Sequence, residues 1–334
     1  MRGYGDSSHS SFGAGPDSVP PGMASVAMLP SGTRPVKPNQ TTFGSRVRRT
    51  AGEPGARGRE AALRRSRTLP RMPGRRVPEG PPPAPVVQRL RLRYAKRGRL
   101  RFSSTRDFQR ALERALRRAD VPMAFSAGFH PHPRISYANA APTGTASEAE
   151  YVELGVNERV DPEAVRAALD DALPAGLDVL EVVEAGPGSL ADRLEASDWV
   201  IAVPRVDPKT LQAAVDAFLA VDRAEVTRTF KTGPRTFDTR AAVLDMRVVD
   251  PASVTQAVPD AVPAGEAGCA IIRMVVRHTT PAVRPDDILS ALRAVADLVP
   301  PAPPLVTRLA QGPLVHGVAA VADPLATDGK VGGS

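Results

Sequence analysis

Apolar and polar positions begin to alternate at Val86, and from there the chain spells out its elements in turn. Leu90, Leu92 and Tyr94 alternate with Arg89, Arg91 and Arg93. That period of two predicts a half-buried strand with one apolar and one basic face. Lys96-Arg97-Gly98-Arg99 reads as a bulge or turn, after which Leu100 and Phe102 resume the alternation. Ser104 and Asp107 have the spacing of a capping box, with Asp in place of the usual Glu. They open a helix whose apolar stripe is Phe108, Ala111, Leu112, Ala115, Leu116 and Ala119. Arg106, Arg110, Arg114, Arg117 and Arg118 are left outside, and Pro122 stops the helix. An extended pair follows: Met123 to Ala138 leads through Pro142-Thr143-Gly144 into Glu148 to Val156. Asp161-Pro162-Glu163 starts a second helix with Val165, Ala168, Leu169 and Ala172 inward, and Leu177 to Val183 is a closing strand.

Residues 86–186 therefore read β-α-β-β-α-β, the split βαβ or ferredoxin-like arrangement. Residues 197–312 approximately repeat that order. Trp199 to Val203 is a strand and Pro208 to Val221 a helix, with Leu211, Ala214, Val215, Phe218 and Leu219 inward. Glu225 to Lys231 and Val243 to Val249 are strands joined by a Gly-Pro turn and an irregular piece. Ala270 to Arg277 is a strand, Pro285 to Leu298 a helix, and Leu305 to Leu309 closes. The expected fold class is α+β: two tandem ferredoxin-like halves, the second with an insertion, between disordered N- and C-terminal tails. Residues 1–85 hold 14 Pro and 12 Gly with almost no apolar periodicity, so they read as a disordered basic tail; Met72 opens a shorter plausible chain. Residues 317–334 read as a second flexible tail.

Charge is unevenly placed along these elements. Residues 1–85 carry 14 Arg/Lys against 5 Asp/Glu, residues 86–118 carry 12 against 2, and the rest carries 18 against 29. A short basic block at the entrance of an acidic body suggests a polyanion partner, most often nucleic acid. The alternative is a solvated arginine face that supports the helix. With one cysteine, Cys269, a disulfide framework is excluded and the chain cannot by itself ligate an iron–sulfur cluster. Cys269 opens an apolar strand and reads as a small buried hydrophobe. No apolar run reaches a membrane span of about 18–20 residues. The first thirty residues have no apolar core of a signal peptide, so the expected setting is cytoplasmic, without a membrane.

Candidate chemistry gathers at four places. In Gly128-Phe129-His130-Pro131-His132-Pro133, each histidine precedes a proline and is pushed to extended geometry, where residues two apart can face one way. Acid/base work by His132 is one reading, and a proline-shaped turn with a hydrogen-bonded histidine is the other. No metal site is expected there, because further ligands are lacking. Glu148 and Glu150 share a face with Val152 and Leu154, so Glu150 approaches the core and needs a partner. It is either a general base or the acid of an ion pair with Arg134 or a first-helix arginine. Arg89, Arg91 and Arg93, with Arg110 and Arg114, are expected to contact phosphate, unless acidic residues of the second half pair with them. Asp238 in Phe237-Asp238-Thr239-Arg240 is set among Lys231, Arg235 and Arg240, a basic hairpin that could grip phosphate while Asp238 caps the following turn.

Three stretches, KRGRLRFSSTRDFQRALERALRRADVPMAFSAGFHPHPRISYA, APTGTASEAEYVEL and the weaker TFKTGPRTFDTRAAV, together resemble the radical SAM-linked protein family, domain of unknown function 2344, over about residues 87–312. The resemblance implies association with a radical SAM protein. Genes of the family commonly neighbour those of an RNase E/G-type ribonuclease and of ribosomal proteins, which points toward RNA. His132 and the Asp238-Thr239-Arg240 element carry over. The family's Ser-His before the first helix does not: this chain has Ser104-Thr105.

The expected function is a non-radical accessory or substrate-binding protein working with a radical SAM enzyme on RNA, a tRNA or rRNA. The chain needs no cofactor of its own in this reading. Gly128, Phe129, His132, Arg134, Glu148 and Asp238 would shape the substrate cleft. The alternative classes are an RNA-processing or modifying enzyme, with His132, Asp107 or Glu150 as its acid/base group, and a protein-only scaffold that docks its arginines on an acidic partner.

Overall fold

The computed structural model describes residues 83–258, 261–262 and 268–329. The tail assigned to residues 1–85 therefore lies outside the described residues up to position 82. The architecture is α+β, with an eight-stranded sheet and five α-helices among the described residues.

The first half contains β1 (Gln88–Lys96), α1 (Thr105–Arg118), β2 (Ile135–Ala138), β3 (Ala146–Val156), α2 (Pro162–Ala172) and β4 (Val179–Glu184). Its strands lie in the order β4-β1-β3-β2, all antiparallel. That order is the one a split βαβ unit produces, because each helix crosses over one strand to reach the next. The second half contains β5 (Ala196–Val203), α3 (Pro208–Ala220), β6 (Glu225–Phe230), β7 (Gly233–Asp238), β8 (Val243–Val249), α4 (Pro251–Ala257), β9 (Ala270–Arg277), α5 (Pro285–Ala296) and β10 (Leu305–Gly312). Its sheet runs β10-β5-β9-β8. The hairpin β6–β7 stands apart as a two-stranded sheet.

Two local expectations change, and one about Cys269 holds. Gly98–Phe102 is a short 3-10 turn and not a resumed strand. The irregular piece after the Gly-Pro turn contains β7, and α4 fills the connection to β9. Cys269 is buried, as its apolar neighbours imply.

One sheet face in each half is packed by helices. Leu90, Leu92, Tyr94, Val152 and Leu154 meet Phe108, Leu112 and Leu116 of α1 and Leu169 of α2. Trp199, Ile201, Ile272 and Met274 meet Leu211, Val215 and Phe218 of α3 and Ile288 and Leu292 of α5. The two sheets then join edge to edge. β10 runs parallel to the start of β3, with Thr307 opposite Ala146 and Arg308 opposite Ser147.

The other sheet faces are covered as well. Behind the second half, Val254 and Ala261 pack on Val200, Ala202 and Ile271. Behind the first half, Leu190, Leu194 and Leu325 pack on Ala149 and Tyr151. This overturns the flexible tail expected at 317–334 over its described part, residues 317–329. Asp328 is buried there, and accepts from Arg91 at 2.9 and 3.0 Å, from Arg193 at 3.0 Å and from the Gly186 amide at 2.8 Å.

The expectation of an arginine strand facing solvent holds at Arg89 but fails at Arg91 for the same reason. Arg91 is 1 % exposed and also donates to Glu153 at 3.0 Å. Arg93 pairs with Glu181 at 3.3 Å, and Arg89 lies 3.8 Å from Glu153 with most of its side chain exposed. A buried cation must be paired, and removing one partner strands the other charge at a cost of about 3–5 kcal/mol. Urea denaturation should therefore show Arg91→Gln destabilised by about that amount, and Arg89→Gln by less than about 0.5 kcal/mol. Equal, small effects would show that the segment around Asp328 does not hold the fold.

Candidate functional site

Where β1 ends beside α1, the sheet leaves a small polar cavity. The Ser104 hydroxyl accepts from the Asp107 amide at 3.2 Å and the Asp107 carboxylate accepts from the Ser104 amide at 3.1 Å, the reciprocal cap that the spacing predicts. The Ser104 hydroxyl also donates to the Asp107 carboxylate at 2.7 Å, and this bond, with the one from the Ser104 amide, holds the Asp107 carboxyl below its ordinary range and occupies it structurally. The cap fixes Ser103, Ser104 and Thr105 along the cavity wall. Tyr94 and Phe108 stack with ring centres 4.1 Å apart beneath them, and Phe108 meets Tyr137 edge-on.

Lys96 lines this cavity although it belongs to the sequence read as a turn. It has the parity of Leu90, Leu92 and Tyr94, and continuing that alternation by one step places it inside. A register shift between Tyr94 and Lys96 sets it opposite Ser147. Its ammonium donates to the carbonyls of Ala141 at 3.3 Å and Pro142 at 3.2 Å. Burial lowers the Lys96 pKa, and the charge of Glu150 only partly opposes this. Burial also pushes the Tyr137 phenol up to about 12, and its hydroxyl is buried without a hydrogen-bond partner.

Glu150 lies against the core as its face predicts, but its partner is neither Arg134 nor a first-helix arginine. It pairs with Arg308 of β10 and accepts from the Ala141 amide at 3.0 Å. With both oxygens engaged, it is not placed as a free general base. Arg308 also donates to the Ser147 hydroxyl at 3.3 Å and lies 5.3 Å from the Trp199 ring centre. Gln311 donates to the Ala149 carbonyl at 2.6 Å beside it. Arg308 and Gln311 escaped sequence reading because both lie about 160 residues from their partners and inside an apolar strand.

The residues expected to form one cleft are not brought together. Glu148 pairs with Arg97, which also meets Asp178 at 2.8 Å. The loop carrying Gly128, Phe129, His130, His132 and Arg134 sits at the other end of β3. There the Ala124 amide donates to the Gly155 carbonyl at 2.9 Å and the Gly155 amide to the Arg134 carbonyl at 2.8 Å. Seven residues separate Glu148 from Gly155, about 23 Å of strand. His130 and His132 are exposed, and the His132 amide donates to the Ser126 hydroxyl at 3.0 Å, the proline-shaped turn of the plainer reading. Gly128 has a φ of +134°, open to glycine alone in practice, and Phe129 projects outward. Among the described residues, no group of three or more His, Cys, Asp or Glu could hold a metal.

The basic hairpin of the second half does form. β6 and β7 pair from Glu225–Asp238 to Phe230–Gly233, so Lys231 and Thr232 make the turn. Gly233, at φ +109°, lets the strand re-enter. Arg228 ties the hairpin to α5 by pairing with Asp287 and donating to the Ala282 carbonyl at 2.9 Å. Its guanidinium lies 4.7 Å from the Phe230 ring centre and 5.0 Å from Phe237, and Arg235 lies 5.5 Å from Phe230. Lys231 and Arg235 are exposed. Asp238 accepts from the Ala224 amide at 2.9 Å and the Arg240 amide at 3.0 Å, the capping use foreseen for it. Arg240 departs from expectation: it donates to the Val243 carbonyl at 3.2 Å and leans over Phe218, so it serves the hairpin's base and not phosphate. On α1, Arg106, Arg110, Arg114, Arg117 and Arg118 are all exposed.

Residues 89–285 match the model of a family described as an uncharacterized protein conserved in bacteria, DUF2344. No curated protein matches. Among solved structures, the crystal structure of the first two RRM domains of the yeast poly(U)-binding protein Pub1 is similar at 12 % identity. It covers 66 % of this chain and 98 % of that chain, with a TM-score of 0.18, too low to carry an argument. No helix among the described residues is long and apolar enough to cross a membrane.

The buried pair makes its own prediction. Glu150→Gln would leave Arg308 without its carboxylate, and should cost about 3–5 kcal/mol in denaturant unfolding. A cost under about 1 kcal/mol would mean that water reaches Arg308.

Proposed function

The chain belongs to the uncharacterized bacterial family DUF2344, and from that premise we propose that it is a nucleic-acid-binding accessory protein whose contact surface is the hairpin β6–β7. The observation that carries this reading is the alternation of arginine and aromatic side chains on a ribbon outside the main sheet. Single-stranded RNA is bound by such surfaces, because bases stack on aromatic rings and guanidinium planes while cations neutralise phosphates. Phe230 between Arg228 and Arg235 supplies the stacking element, and Lys231 and Arg235 supply exposed charge. The exposed α1 arginines, Arg110 and Arg114 among them, add further basic charge on the first half. Arg91 has no part in it.

The sheet faces themselves are unsuited to this task, since buried side chains cover both. The finer reading keeps two tandem ferredoxin-like halves as a rigid platform that presents the hairpin. In that reading a radical SAM enzyme, implied by the family resemblance, performs the chemistry on an RNA, a tRNA or rRNA, that this protein holds. Asp107 is bound in its helix cap and Glu150 is paired with Arg308, while His132 lies on an exposed turn at the other end of β3, apart from both, which favours an accessory over an RNA-processing enzyme.

Binding of a single-stranded RNA oligonucleotide, measured by fluorescence anisotropy across a salt series, tests the surface. Lys231→Gln with Arg235→Gln should flatten the log–log salt slope by about 1 to 1.5. Phe230→Ala should weaken binding by about 1–3 kcal/mol. Unchanged slope and affinity in both variants would remove the hairpin from the interface, and no binding by the parent protein would favour a protein partner instead.

A further inference from the structure

The cavity beside α1 holds an imbalance of buried charge. Lys96, Glu150 and Arg308 are 5 %, 1 % and 3 % exposed, so two buried cations share one buried carboxylate. Arg308 takes that carboxylate directly. Among the described residues, Lys96 has no carboxylate oxygen within 4 Å, and its two partners are neutral carbonyls. An ammonium carries three donors, so one N–H of Lys96 is left over. Burying a charge without a counter-charge is costly, and buried cations are ordinarily paired.

The rest of the lining leans the same way. Both Glu150 oxygens already accept hydrogen bonds, from Arg308 and the Ala141 amide, so the cavity offers no free carboxylate. The Tyr137 hydroxyl is buried in the wall with no partner. Ser103 and Ser104 line the same wall, the Ser104 hydroxyl being engaged with Asp107 in the cap. A water molecule could satisfy Tyr137 but would leave the charge uncompensated. The free space, about 20 Å³, admits one oxygen-sized group.

We propose that this cavity binds an oxyanion, receiving one oxygen of a carboxylate or phosphate group between the Lys96 ammonium and the Tyr137 hydroxyl. The anion supplies the negative charge that the Lys96–Glu150–Arg308 cluster lacks. This assignment is independent of nucleic-acid binding by the hairpin, because no residue is shared between the two surfaces.

Isothermal titration calorimetry of the full chain with sodium phosphate and, separately, sodium acetate, at ionic strength fixed with sodium chloride, tests the site. Saturable binding of at least one anion is expected. Lys96→Met, which replaces the cation by an apolar chain of similar length, should weaken it by at least tenfold. Tyr137→Phe removes one hydrogen bond and should weaken it by about fivefold; this variant keeps the test valid should Lys96→Met fail to fold. Binding of phosphate alone assigns the site to phosphate groups, and binding of acetate alone to carboxylates. Absence of saturable binding by both anions, or binding equally strong in the folded variants, would overturn the proposal and attribute any affinity to the exposed arginines.

Discussion

The pairing of Arg308 with Glu150 decides how the two halves of this protein relate. A carboxylate 1 % exposed and a guanidinium 3 % exposed cannot each be solvated, so each requires the other. Arg308 stands on the last strand of the second half and Glu150 on the third strand of the first. Only one relative placement satisfies both, with β10 against the start of β3. Two backbone register pairs alone would be a weak edge. The ion pair, the Gln311 contact to the Ala149 carbonyl and the stacking of Arg308 near Trp199 make it a specific one. An eight-stranded sheet follows from that constraint.

A second buried cation closes the back of the sheet. Arg91 gathers Glu153 and Asp328, and Arg193 shares Asp328, so residues 186–194 and 313–329 are drawn over a face that would otherwise be open. Leu190, Leu194 and Leu325 then exclude water from the ion pairs, which strengthens them. The functional consequence is that recognition shifts away from the sheet. What remains accessible and chemically distinctive is the arginine- and phenylalanine-bearing hairpin, the outer face of α1, and the polar cavity at the α1 amino end.

Much of this fold was legible because local rules agree with it. The alternation of Leu90, Leu92 and Tyr94, the Ser104–Asp107 cap and the Asp-Pro openings of α2 and α3 each carry a local physical cause. The site was much less legible. Arg91 looks like a solvent-facing residue, since its cover comes from Asp328, 237 residues away, in a Gly-rich stretch without periodicity. The strength of that stretch is a polar network, which hydrophobic patterning does not record. Glu150 declared its burial by its face but not its partner, which lies 158 residues on. Lys96 was hidden by its neighbours: Arg97 and Gly98 signal a turn, and that signal masked the parity it shares with Tyr94.

The central claim is that the buried pair at β3–β10 makes the two halves one cooperative unit. Trp199 is the chain's single tryptophan and is buried in β5, so its fluorescence reports the second half. Amide hydrogen exchange in β1 and β3, followed by mass spectrometry in the same urea series, reports the first. Coincident transitions with one midpoint are predicted. A first half that opens at clearly lower or higher urea than Trp199 would contradict the account.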